Sequence, residues 1–117
     1  VERVHLLLEA FASQQCYVAT EADEDITTLL AVANYRKKTN RDFAWLEGLA
    51  VTPHRRGMGI VGRFVIDQLV IVTQQNNLSE IRLQSVPSAV PFYEKNQFSI
   101  MDGEENEFHP RMSRRVT

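Results

Sequence analysis

Two runs of different period meet at Pro53-His54-Arg55-Arg56-Gly57-Met58-Gly59-Ile60-Val61-Gly62-Arg63-Phe64, and that junction limits what this chain can fold into. Before it, Phe43 to Val51 (FAWLEGLAV) reads as a strand that Pro53 ends, with Gly48 marking a bulge or a close backbone approach. After it, Val61, Phe64, Val65, Leu69 and Val72 form a helical stripe that starts near Gly57 to Ile60 and runs to the Gln74-Gln75-Asn76-Asn77 stop. Ile66, Val70 and Ile71 on the other faces predict that this helix is covered on more than one side. Glu80 to Val86 (EIRLQSV) then alternates, with Ile81, Leu83 and Ser85 on one face. Strand, glycine-rich turn, helix and strand in that order make a βαβ unit, which implies a parallel pair and a right-handed crossover.

Around this unit the pattern predicts an amphipathic helix from Val1 to about Gln14, carried by Val4, Leu7, Leu8 and Phe11. Cys16 to Ala22 and Ile26 to Arg36 read as an antiparallel hairpin closed by the acidic turn Asp23-Glu24-Asp25. A second helix is expected over Ser88 to Asn96, then strands near Phe98 to Asp102 and Glu107 to Arg114. The result is a mixed α/β sheet with hairpins flanking a central βαβ, and 117 residues suit one domain over 1–117. The chain opens at Val1 rather than Met, so an upstream piece is expected to be missing.

Thirteen Lys and Arg against fifteen Asp and Glu give no general attraction to nucleic acid or to an anionic membrane, so any anion site must be local. The apolar run Ile60 to Thr73 is broken by Arg63, Asp67 and Gln68 and is shorter than the ~20 residues of a membrane span. The single Cys16 allows no internal disulfide and no secretory signal is readable, so a reducing, cytoplasmic setting is expected. His5, His54 and His109 lack ligand spacing around Cys16, and no metal site is expected.

At a strand-to-helix turn, glycines let the backbone approach a ligand while free N–H groups and the positive helix end favour an anion. The nucleotide P-loop ends in Gly-Lys-Ser/Thr, whereas this turn has Gly59-Ile60-Val61. Gly57, Gly59 and Gly62 do satisfy the dinucleotide fingerprint G-x-G-x-x-G. In that fingerprint an acidic residue follows ~20 residues later to bind the ribose; Glu80 opens its strand instead of ending it, and little chain remains for a dinucleotide sheet.

The neighbouring letters bring in a third reading. Leu49-Ala50-Val51-Thr52-Pro53-His54-Arg55-Arg56-Gly57-Met58-Gly59-Ile60 resembles the acetyl-CoA motif of the GNAT superfamily of N-acetyltransferases, Gln/Arg-x-x-Gly-x-Gly/Ala. Arg56, Gly57, Met58 and Gly59 match, and Val61 stands at the last place. Ala89-Val90-Pro91-Phe92-Tyr93-Glu94-Lys95-Asn96-Gln97-Phe98 resembles the family's A-x-x-F-Y-E-K-x-G-F segment, with Gln97 in place of the usual Gly. Phe108 to Val116 is similar to the family's last strand. The resemblance implies a GNAT-like, mostly antiparallel sheet with a central parallel βαβ, lacking the first strand and first helix, so that the helix expected at Val1 to Gln14 would be the family's second.

The same resemblance implies transfer of an acetyl group from the cosubstrate acetyl-CoA to a primary amine of a small molecule or peptide by direct attack. The cofactor would lie against Leu49, Ala50 and Val51 and the loop Arg56, Gly57, Met58, Gly59, Ile60 and Val61, whose N–H groups would hold the diphosphate. Arg55 reads more readily as a solvated turn residue. A lysine-like amine has a pKa of ~10.4, so losing its proton at pH 7 costs about 4.6 kcal/mol. Glu47, expected on the same strand face as Leu49 and Val51 and roughly 17 Å before the loop, stands where many family members carry a glutamate base acting through water. It reads equally as a rim carboxylate or a partner for an arginine. The resemblance makes Tyr93 the acid for the departing thiolate, and a backbone N–H from Leu49 to Val51 the donor to the oxyanion. Tyr93 packed beside Phe92 with its hydroxyl on backbone is the plainer alternative.

Val61 and Gln97 also suit a catalytically weak or inactive acetyl-CoA-binding, regulatory module. The acidic segment Asp102 to Glu107 reads as a solvated turn, or as an attractor for a cationic amine. A homodimer is compatible with all of these readings.

Overall fold

The computed structural model describes residues 5–11, 16–23, 26–37, 40–52 and 59–117. Among them, β1 (His5–Phe11), β2 (Cys16–Asp23), β3 (Ile26–Lys37), β4 (Phe43–Val51), β5 (Glu80–Gln84), β6 (Ser99–Ile100) and β7 (Arg111–Arg115) form one sheet in the order β1-β2-β3-β4-β5-β7-β6. Among the described strands only β4 and β5 pair in parallel, and helix α1 (Ile60–Gln75) falls between them in the chain, as the alternating periods require. A 3₁₀ turn (Pro87–Ala89) leads into the short helix α2 (Val90–Lys95) where one helix over Ser88 to Asn96 was expected. Proline at the start of each piece suits a helix entry, where a missing N–H costs nothing.

The first element departs from the expectation. His5 to Phe11 is a strand, not part of a helix over Val1 to Gln14, and it pairs with β2 from Phe11 opposite Cys16 to His5 opposite Ala22. Leu6, Leu7 and Leu8 in succession fit either period, and a ladder along β2 satisfies the backbone of a short segment better than an isolated helix does. The last two strands are also shorter than expected, because residues 101–110 form a turn-rich loop.

Helix α1 buries Val61, Gly62, Val65, Ile66, Leu69 and Thr73. Phe64 and Val72 sit at the edge of this stripe, and Ile71 is exposed, so the helix is covered on one side and not on several. Under it lie Ala31, Ala33 and Tyr35 of β3, Ala44 and Leu46 of β4, and Ile81 and Leu83 of β5. Tyr35 and Thr73 tie helix to sheet inside this core: the Thr73 hydroxyl donates to Leu69 O at 2.7 Å, so the Tyr35 hydroxyl, 2.6 Å away, donates to Thr73 Oγ1. Burial raises the Tyr35 phenol above its ordinary pKa, an effect that the Thr73 hydrogen bond opposes.

Both helices end in the same way. Asn77 and Gln97 have φ of 60° and 70°, and each is followed by a residue whose N–H reaches back five positions, Leu78 to Thr73 O and Phe98 to Tyr93 O. This is the Schellman arrangement, in which the left-handed residue favours Gly or Asn. Gln97 carries that strain, which explains why the family motif has Gly there.

Two stability changes are expected. Gln97→Gly removes the left-handed strain and raises stability by about 1 kcal/mol in urea unfolding. Thr73→Val strands the buried Tyr35 hydroxyl and costs about 1–3 kcal/mol, whereas Tyr35→Phe leaves Thr73 bonded to Leu69 and costs only about 1 kcal/mol.

Candidate functional site

The β3–β4 ladder pairs Tyr35 with Leu46 and Asn34 with Gly48, which leaves Glu47 as an extra residue in a β-bulge. The bulge foreseen at Gly48 is therefore present, and it changes the phase of the strand. Leu46, Leu49 and Val51 stand opposite Tyr35, Ala33 and Ala31, which alternate along one face, so all three share the side that the helices cover. Glu47 is on the other side, where its carboxylate pairs with the Arg36 guanidinium. The expectation that Glu47 shares a face with Leu49 and Val51 is corrected: a strict period of two holds only in a strand without an inserted residue. With 53% and 41% of the two side chains exposed, the pair orders the carboxylate more than it stabilises the fold.

The parallel ladder between β4 and β5 stops at Leu46 opposite Leu83. Beyond that point β4 follows β3 as far as Val51, and β5 follows β7 as far as Gln84 opposite Arg111. On the helical side of this parting lies a cleft of about 290 Å³, lined by Leu49 and Val51 of β4, Gly59 and Gly62 at the start of α1, and Ser88, Ala89, Phe92 and Tyr93. Its walls are mostly apolar.

Gly59 precedes α1 with φ of 69°, a conformation natural to glycine, and among the described residues no side chain caps the helix. The first backbone bond of the helix runs from Arg63 N–H to Gly59 O, so the N–H groups of Ile60, Val61 and Gly62 precede the regular ladder. Gly62 is needed for a different reason. A Cβ there would sit 2.7 Å from the Phe92 ring, so only glycine lets α2 approach α1 this closely.

Tyr93 is 8% exposed, packed edge-on between Phe92 (5.2 Å between centroids) and Phe98 (5.6 Å). Among the described residues its hydroxyl has no hydrogen-bond partner, unlike the backbone-bonded alternative read from the sequence. Desolvation raises its pKa above the ordinary 10, so the phenol remains a neutral donor throughout the physiological range.

Of the residues singled out in the sequence, Leu49, Val51, Gly59 and Tyr93 meet in the cleft. Ala50 and Ile60 are exposed, Val61 turns into the core, and Glu47 lies on the opposite face. Arg55, Arg56, Gly57, Met58 and His54 lie outside the described residues. Ser88, Ala89, Phe92 and Gly62 were not assigned to the site. Their signal is the i, i+1, i+4, i+5 spacing of Ser88, Ala89, Phe92 and Tyr93, one side of a helical turn that contacts the cleft and Gly62. Among the described residues no three His, Cys, Asp or Glu gather as metal ligands, and no helix is long and apolar enough to cross a membrane.

A search of curated proteins finds no match. Solved structures are similar in fold at low identity. Nourseothricin acetyltransferase has a TM-score of 0.71 at 19% identity, over 88% of this chain and 65% of that one. An acetyltransferase of the GNAT family from Staphylococcus aureus Mu50 has a TM-score of 0.69 at 15% identity, over 87% and 68%. Ard1 from Thermoplasma volcanium has a TM-score of 0.67 at 23% identity, over 87% and 70%. The chain thus spans about two thirds of the length of each. The family profile described as acetyltransferase (GNAT) domain matches residues 12–100, and on that match the chain belongs to the GNAT acetyltransferase family.

Proposed function

We propose that the cleft receives acetyl-CoA and that the protein transfers its acetyl group to a primary amine of a small molecule or peptide. One observation carries this reading: the parting of β4 from β5 opens an apolar cleft whose lining joins the glycine-bearing start of a helix to a buried tyrosine whose hydroxyl has no partner among the described residues. These residues fit the cosubstrate. N–H groups at Ile60 to Gly62 suit a diphosphate, and Leu49, Val51, Ala89 and Phe92 suit an apolar arm. When bound, the thioester supplies an electrophilic carbonyl and a thiolate leaving group.

The chain's own residues then act on protons and charge. The incoming ammonium must shed one proton before its nitrogen forms the new C–N bond, and Glu47, on the Arg36 face, takes it directly or through water. The nitrogen loses its second proton after the bond forms, to the departing thiolate through water. The oxyanion accepts a hydrogen bond from a β4 amide between Leu49 and Val51. As the C–S bond breaks, the Tyr93 hydroxyl donates to the sulfur. A phenol buried as Tyr93 is gives up its proton less readily than a thiol does, so its help is a hydrogen bond that tightens in the transition state. In this scheme cosubstrate and amine approach from opposite faces of the sheet and meet where the central ladder ends.

Tyr93→Phe is expected to lower kcat by about 10²-fold with acetyl-CoA affinity kept. Because burial raises the phenol's pKa, the wild type should show no alkaline loss of activity below about pH 10 that Tyr93→Phe abolishes, as read from kcat–pH profiles of the two proteins. Glu47→Gln should also lower kcat by about 10²-fold, and calorimetry should give an unchanged acetyl-CoA affinity, since Glu47 does not line the cleft. Acetyl-CoA binding without CoA release across a panel of amines and peptides would favour the regulatory-module reading instead.

A further inference from the structure

The 87–93 segment has a second side. Ser88, Ala89, Phe92 and Tyr93 face the cleft, whereas Pro87, Val90 and Pro91 face a separate groove of about 510 Å³ that shares no lining residue with it. Across the groove stand Ile100, Phe108 and Pro110, and Glu105 and Glu107 lie along it. Phe108 is 74% exposed and Val86, beside Pro87, is 52% exposed.

The loop that presents Phe108 is built to hold its shape. Met101 N–H donates to Arg111 O, Glu104 N–H to Met101 O and Glu107 N–H to Glu104 O, each at 2.9–3.0 Å. Arg111 N–H donates to Glu104 Oε1 at 3.0 Å, which engages that carboxylate within the loop. Gly103 takes the left-handed turn, with φ of 85°, and the Phe108 ring rests edge-on against His109 at 4.8 Å. An aromatic side chain held exposed in this way pays little ordering entropy on contact.

The charge beside it is one-sided. Asp102, Glu105 and Glu107 have no ion-pair partner among the described residues; the loop holds no Lys or Arg, only the His109 imidazole, and Arg111 follows it as the first residue of β7. Anionic partners are therefore disfavoured, and a second copy would bring the same carboxylates to a self-complementary contact. A small amine would satisfy a carboxylate but leave Phe108, Val90 and the prolines in water.

We propose that this groove docks a polypeptide in which Lys or Arg alternates with apolar residues, and that it belongs to a peptide acceptor. In an extended segment the apolar side chains would fill the floor while the basic ones meet Glu105 and Glu107. A segment docked here must run on past the end of the central ladder for its amine to reach the Glu47 face, and docking raises the effective concentration of that amine. The acceptor assignment rests on the amine-transfer reading above; the docking itself does not.

The test is fluorescence anisotropy with a labelled peptide that alternates Lys and Leu, and a Glu-for-Lys peptide as control. The Lys peptide should bind and the control should not, with affinity falling as salt rises. Phe108→Ala, and separately Glu105→Gln with Glu107→Gln, should weaken binding about tenfold. Both changes are on the surface, and unchanged thermal melts establish that the variants are folded. Equal binding of both peptides, or binding that neither variant alters, overturns the proposal. So does a dimer in sedimentation that Phe108→Ala dissociates, since the groove is then a self-contact. In CoA release, Phe108→Ala should raise KM for the Lys peptide and leave both kcat and the KM for free lysine unchanged. Expected anisotropy with no CoA release from any amine rejects the transfer reading and keeps the docking groove.

Discussion

The site depends on where the central ladder stops. Parallel strands exchange evenly spaced hydrogen bonds for as long as they stay together, and here β4 and β5 stay together only to Leu46 and Leu83. The extra residue, Glu47, is the next one along β4. A bulge bends its strand and increases local twist, so the same insertion that shifts the side-chain phase also turns β4 away from β5. Its two consequences are inseparable: Leu49 and Val51 become the wall of a cleft on the helical face, and Glu47 emerges beside Arg36 on the other.

The opposite wall is held by backbone caps and one close approach. α2 has only six residues, too few to be stable alone, so its position comes from what ends it and what it touches. Tyr93 O accepts from Asn96 and Phe98 N–H, its ring packs on Phe98, and Arg114 of β7 donates to Asn96 O at the helix end. Phe92 lies over Gly62, where any side chain would push the two helices apart. The buried phenol is thus fixed from both ends of a short helix, and Gln97 carries a left-handed conformation at the point where that helix must turn.

Much of the scaffold was legible because period and punctuation agreed. The β2–β3 hairpin, β4, α1 and β5 each combine a clear period with a polar or proline boundary, and Phe43 to Val51 appears with the ends the pattern predicted. His5 to Phe11 is ambiguous in the sequence because three consecutive leucines satisfy either period, and its pairing with β2 is a tertiary fact. The residues of the site were readable as letters but not all as positions. Tyr93 and Gly59 fall in the cleft, yet the face of Glu47 depends on counting one residue more than the alternation allows. Gly48 signalled an irregularity without giving its phase. Gln97 looked like a departure from a motif, and its φ supplies the reason that the motif has glycine.

The two faces that result differ in dielectric character, and the proposed division of labour follows from that difference. On the helical side, Tyr93 is desolvated, and burial favours the neutral phenol over the phenolate, so the group can donate without carrying charge. On the other side, Glu47 pairs with Arg36, both about half exposed, and Arg82 stacks on Phe43 with its charge balanced by Glu80, so each carboxylate there stands against a guanidinium. A reaction that must accept a proton from a cation and donate a hydrogen bond to an emerging anion needs both environments within reach of one carbon atom. A single continuous ladder would keep them apart by the thickness of the sheet. The parting of β4 from β5 removes that barrier at the position where the bulge sets the carboxylate.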